Sequence, residues 1–144
     1  MRGAKGGHSM RDARRILALG LSTLAALSLM VATARADNEV FHWNETAFAV
    51  TAAGGQNPIV ISRSVAMTQL AVHDALNAID RRYEPYLYEG PAQPGAAPAA
   101  AIAAAARDVL LGVLPGFGND AKRADARAMT EREYAAALAR IPAG

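Results

Sequence analysis

Cysteine is absent from the 144 residues, which excludes disulfide frameworks, thiolate metal sites and cysteine nucleophiles together. Other reactive side chains are scarce. Beyond residue 36 the only serines are Ser62 and Ser64, the only histidines His42 and His73, and the only lysine Lys122. A Ser–His–Asp site is barely constructible from that set, and no Gly-x-Ser-x-Gly elbow exists to hold one. Neither His-x3-His nor His-Glu-x-x-His spacing occurs. Charge of one sign is also lacking: 15 Lys and Arg face 13 Asp and Glu, a net of +2. Six of the basic residues lie in the first 36, and residues 37–144 carry nine cations against twelve carboxylates, a net of −3. A nucleic-acid footprint needs a basic patch. The one candidate, Lys122 to Arg132, is interleaved with acids and reads as a solvated helix face. What is abundant is apolar: 52% hydrophobic against 19% charged residues, the balance of a folded single domain.

The first 36 residues read as an export signal. Arg2, Lys5, Arg11, Arg14 and Arg15 form a basic start, and Ile16 to Ala34 is an apolar run without a charge. Ala34-Arg35-Ala36 supplies a small-x-small cleavage site. The alternative is a retained membrane anchor, because the run is about long enough to span. Gly20, Ser22, Thr23, Ser28 and Thr33 dilute it, and the processing site follows directly, which favours cleavage. Arg14-Arg15-Ile16-Leu17 fits a twin-arginine export pattern loosely, with Ala13 where Ser or Thr is usual. Residues 37–144 are then an exported helical module, expected in the periplasm or outside the cell.

That module is expected to be all-α, with about four helices joined by Gly/Pro-rich loops. Asn44 to Ala53 forms the first, ended by Gly54-Gly55. Asn57 caps the second and Pro58 takes its first position, where a missing N–H costs nothing; it runs to about Asp80. Tyr83 to Pro98 contains Pro85, Pro91 and Pro94 and forms a loop. Pro98 opens a third helix that ends at Leu114. Asn119 or Asp120 caps a fourth that reaches about Ile141. No repeat of 20–50 residues occurs.

At 100° per residue, Val65, Met67, Ala71, Val72, Ala75, Leu76, Ala78 and Ile79 share one broad side of the second helix. Ser62, Gln69, His73, Asn77 and Asp80 gather opposite, flanked by Arg63 and Asp74, as a half-buried surface between helices. His73 and Asp74 diverge by about 100° and cannot easily share one metal ion. Amides at helical spacing, Gln69 and Asn77, are poor transition-metal ligands, so His73 reads as a hydrogen-bonder to a neighbouring helix. His42 reads as a loop or helix-start residue. Gly54-Gly55-Gln56-Asn57 has no preceding strand and no Gly-Lys-Ser/Thr, and reads as a linker rather than a phosphate loop. Asn44-Glu45-Thr46 matches a glycosylation sequon, which three residues can do by chance. No catalytic, cofactor-binding or metal-ligating residue is assigned.

The later helices are rich in alanine. Ile102, Val109, Leu110, Val113 and Phe117 can form one apolar stripe, and Ala121, Ala124, Ala128, Ala135 and Leu138 line one side of the fourth helix. Alanine favours helix but buries little area, at about 25 cal/mol per Å². So thin a core implies that the module packs on something more.

Certain segments resemble a known family. Trp43-Asn44, Arg63-Ser-Val-Ala-Met67, Ala71-Val-His-Asp-Ala75-Leu-Asn-Ala-Ile79, Tyr83-Glu-Pro-Tyr86 and Val109-Leu-Leu-Gly-Val-Leu-Pro115 are similar to the amino-terminal region of bacterial vanadium-dependent haloperoxidase-like proteins, of the type-2 phosphatidic acid phosphatase superfamily. The resemblance covers about Val40 to Ile141 and carries no catalytic signature. It implies that full-length members hold vanadate or phosphate through three further segments, Lys-x6-Arg-Pro, Pro-Ser-Gly-His and Ser-Arg-x5-His. Their Lys, Arg and Ser would neutralise the oxyanion, while the histidines bond it and move protons. Here Met129-Thr130 stands where Lys122 would need Arg-Pro, Ser-Gly occurs nowhere, and Ser64 is followed by Val65.

The expectation is therefore an exported amino-terminal helical part of a haloperoxidase-like or acid phosphatase-like protein, truncated before its active site, inactive alone and without a cofactor of its own. Its partner would be the missing carboxy-terminal catalytic region or another helical surface. The alternative is a small secreted helical binding or scaffold protein without enzymatic activity. In an exporting bacterial host the mature chain is expected to begin at Asp37. Intact-mass measurement of exported protein checks this, and retention of Met1 to Ala36 would contradict it.

Overall fold

A computed structural model describes residues 39–141; the export signal, its cleavage site and Asp37 lie outside them. Four α-helices and no strand occur among the described residues, as the sequence predicts. The first, α1, is helical from 39 to 53, which corrects the expected start at Asn44. The reason lies in the apolar spacing: Val40, Trp43, Ala47 and Val50 recur at three- and four-residue intervals and pack together into the core. His42 accordingly sits within the helix rather than at its start.

Local signals account for the other helices. In α2, Pro58–Ile79, the Asn57 side chain accepts from the Ile59 and Val60 N–H groups at 3.0 and 3.1 Å. Pro58 occupies the first turn, where its missing N–H is an orphan anyway. The third helix, α3, spans Pro98–Val113 and tightens into a 3-10 turn over Leu114–Gly116, because Pro115 cannot donate to a continuing α-helix. The fourth, α4, spans Asp120–Arg140, with the Asn119 side chain accepting from Lys122 N at 2.9 Å. Asp120 in its first turn and Arg140 in its last complement the helix dipole.

Neighbours in chain order form a closed ring. Gln69 donates to Asn44, joining α2 to α1; α2 packs on α3 and α3 on α4, whereas no Cα of α2 comes within 8 Å of one in α4. The ring closes where Arg140 pairs with Glu39 at 2.9 Å. His42 Nε2 also lies 3.4 Å from Glu133 Oε2, without hydrogen-bond alignment. Between α3 and α4, Arg107 grips both carboxylate oxygens of Glu131 at 2.8 and 2.9 Å and lies over the Tyr134 ring. That hydrogen-bonded pairing raises the Arg107 pKa and lowers that of Glu131, but both side chains are partly exposed and water screens the pair.

The core is thin, as the composition implies: six of its fourteen buried apolar residues are alanines, so Trp43, Ile102, Leu110, Leu114 and Phe117 supply most of its bulk. Thr51, Thr68 and Thr130 are fully buried as well. Each hydroxyl donates to the carbonyl four residues back, on Ala47, Ser64 and Ala126 respectively, so no polar atom is stranded there. Trp43 differs: its indole N–H is buried with no acceptor among the described residues.

The side of α4 that gathers its alanines and Leu138 is not its core face. Ala121, Ala124, Ala128, Ala135 and Leu138 are all exposed, and Ala126, Thr130 and Ala137 face the core instead, with Met129 and Tyr134 packed alongside. Alanine is nearly indifferent to burial, so the larger Met and Tyr, not the alanine count, orient the helix.

Two glycines separate packing from flexibility. A Cβ at Gly54 would overlap the buried Phe117 ring, whereas one at Gly112 meets nothing within 4 Å. Gly54→Ala is expected to cost about 2 kcal/mol through overpacking, and Gly112→Ala to stabilise by about 0.5–1 kcal/mol through helix propensity. Chemical denaturation of both variants checks the pair; equal effects would contradict the packing described.

Candidate functional site: a loop clamp and an apolar groove

A loop of 18 residues, 80–97, joins α2 to α3 and contains three prolines. Such a segment cannot satisfy its own backbone by helix or strand pairing, so donors and acceptors must come from elsewhere. They come from the last two turns of α2. Asp74 is buried, and its carboxylate accepts from the backbone N–H groups of Tyr86, Leu87 and Tyr88 at 2.6, 2.7 and 2.9 Å. Asn77, also buried, donates to Tyr83 O at 2.7 Å and accepts from the Arg82 and Tyr83 N–H groups, both at 3.0 Å. Farther along, Gln93 N donates to Ala78 O at 2.7 Å, and Gly95 turns the chain with a φ of 91°.

Burial alone would raise the pKa of Asp74. The three backbone donors, with a smaller contribution from neighbouring His73, outweigh it and hold the carboxyl below its ordinary value. The group is thus a structural anion whose acceptor capacity is spent on the loop. Nothing about it suits proton transfer near neutrality.

His73 does not bridge two helices, which corrects the expectation. It is exposed, its Nε2 lies 3.4 Å from Glu84 O in the loop, and its ring tilts over Tyr83 with centroids 6.1 Å apart. The polar side of α2 is expected to meet another helix; Gln69 does reach Asn44 of α1, but His73, Asp74 and Asn77 meet this loop and Ser62 stays exposed. The broad apolar side divides in two. Val65, Val72 and Leu76 pack on the core, while Met67, Ala71, Ala75, Ala78 and Ile79 line an open groove of about 750 Å³. Its other walls are α3, through Ala101, Ala104, Ala105, Asp108 and Val109, and the loop residues Tyr86, Leu87 and Tyr88. The clamp therefore fixes one wall of the groove.

The remaining candidates stay apart. Ser62-Arg63 has the order of the third family segment, but Gln69 stands where its histidine would follow, and Ser62 Oγ donates to Pro58 O on an exposed face. Ser64 is buried. Lys122 lies against the Gly54-Gly55 turn. In the sequon, Thr46 is buried within α1. Among the described residues no three His, Asp or Glu side chains could hold a metal ion. The groove itself was not foreseen, although the excessive breadth of the apolar side of α2 was its signature. No family model matches the chain, and neither a curated protein nor a solved structure does.

Asp74→Ala is expected to cost about 2 kcal/mol, the worth of hydrogen bonds to a buried charge, whereas exposed His73→Ala stays within about 0.5 kcal/mol. Because the folded pKa of Asp74 is depressed, its contribution is complete above the ordinary aspartate value of about 3.9. It is lost as pH falls from there through the lower folded value. Thermal unfolding from pH 7 to pH 2 checks both statements: the two proteins should differ most at neutrality and converge in acid. A constant difference would contradict the clamp.

Proposed function

We propose that the chain is the exported amino-terminal helical part of a haloperoxidase-like or acid phosphatase-like protein, working in the periplasm or outside the cell and inactive by itself. The observation that carries this reading is the clamp. Asp74 and Asn77 belong to the segment Ala71–Ile79 and hold the segment Tyr83–Tyr86, so the two most distinctive stretches of the resemblance act as one structural unit. Residues that carry a family likeness without a catalytic signature are expected to be of this scaffolding kind.

The side chains lining the groove do not fit vanadate or phosphate. The only charged residues lining the groove are Asp74 and Asp108, which repel an oxyanion. Neither histidine lines the groove: His42 lies in α1 beside Glu133 and His73 lies over the loop.

A second reading, a small secreted helical binding or scaffold protein, is favoured by the open groove, since a concave apolar surface of several hundred cubic ångströms is a usual binding feature. Both readings expect no catalysis. The purified chain, supplied with vanadate, peroxide and bromide, or with a phosphomonoester, should give rates indistinguishable from blanks. Saturable bromination or hydrolysis that follows the chain through purification would overturn them.

A further inference from the structure

The groove between α2 and α3 lies outside the core-facing side of both helices. On α3 the core takes Ile102, Ala103, Ala106 and Leu110, and the groove-lining positions fall roughly 150° around the helix at 100° per residue. The helix is thus apolar on two sides. Over Pro98–Gly116 it is long and apolar enough to cross a membrane, yet only 28% of it is buried. A helix apolar all round is normally covered all round. Leu87, 82% exposed, and Tyr86, 68% exposed, stand at the groove margin on a loop held rigid by Asp74.

We infer that this groove is a docking site for a helix carrying an apolar stripe and a basic residue. Three features select that occupant. The walls are small: Ala71, Ala75 and Ala78 on α2 face Ala101, Ala104 and Ala105 on α3, and small residues let a third helix backbone approach closely. The α2 wall runs from Met67 to Ile79, about 18 Å at 1.5 Å per residue, which matches about three turns of helix. The charge is one-sided. Asp74 is saturated by backbone donors, while the Asp108 side chain is 71% exposed at the margin. Asp108 shares Arg107 with Glu131, which takes the bidentate contact and also lies near Arg127, so Asp108 holds a single guanidinium contact and its exposed carboxylate remains open to a Lys or Arg of the partner. Glu84 and Glu89, flanking the lining residues 86–88 in sequence, add to the same sign and disfavour an anionic lipid surface.

This rests on the reading of the chain as an inactive helical module and names the face through which it is covered. The probe is a fluorescent peptide of about 18 residues, built from Ala, Leu and Lys with the leucines on one helical face and long enough to be helical. A second peptide has Glu for every Lys, and a third has the basic composition scrambled to remove the apolar face. Saturable binding of the basic peptide is expected, about fivefold tighter at low salt than the acidic one, with none for the scrambled one. Filling the trough with Ala75→Leu or Ala104→Leu should weaken binding at least tenfold. Asp108→Lys, an exposed change that leaves the fold intact by circular dichroism, should weaken the basic peptide about threefold, the scale of a surface ion pair, and abolish the preference over the acidic peptide.

Equal binding of all three peptides, or binding untouched by both leucine variants, would overturn the inference. Should those variants fail to fold, the Asp108→Lys preference decides. Groove-dependent binding of phosphatidylcholine vesicles or of an anilinonaphthalene dye, without peptide binding, would also overturn it in favour of a lipid or small-molecule site. A negative peptide result leaves the vanadate and phosphatase assays untouched, whereas activity in those assays would remove the functional reading without altering the peptide result.

Discussion

A carboxylate buried on a helix face must find donors or lose its charge. Asp74 finds three, all of them backbone N–H groups of the loop that follows. That one requirement orders much of the molecule. It draws residues 86–88 back along α2, sets the direction from which the chain enters α3, and builds one wall of the groove. Asn77 repeats the device one turn later on Arg82 and Tyr83. The loop is therefore rigid at its backbone while its largest side chains, Tyr83, Tyr86 and Leu87, remain exposed. Rigid presentation of apolar side chains lowers the ordering cost of binding, which makes this surface suited to recognition rather than to chemistry.

The second constraint is alanine. It lets α3 lie against both α2 and α4, but it leaves the core dependent on a few large residues, Trp43 and Phe117 among them. Threonine fills further core positions because its hydroxyl can be satisfied within its own helix. The same economy leaves α3 apolar on a side the described residues do not cover. Thin core and open groove are two consequences of one composition.

The helices were legible wherever a capping group or proline marks them: Asn57-Pro58, Pro98 and Asn119 open helices where expected. The start of α1 was missed because no capping residue was weighed against the Val40, Trp43, Ala47 spacing. The core face of α4 is not legible from its alanines, which carry little orientational information; Met129 and Tyr134 mark it. The partner of His73 was misplaced because helical projection shows which side chains share a face but not whether helix or loop lies opposite. Asp74 and Asn77 could have been read as loop anchors: they precede a long Pro-rich segment whose backbone had no other partners in the sequence.

The most distinctive residues of α2 serve as a backbone clamp. Amide hydrogen exchange at Tyr86, Leu87 and Tyr88 tests it most directly. At neutral pH these three amides, although they lie in a loop, should be protected far beyond exposed neighbours such as Glu89, and Asp74→Ala should remove that protection while α3 amides keep theirs. Exchange at the free-loop rate in the unaltered protein, with α2 and α3 still protected, would contradict the account.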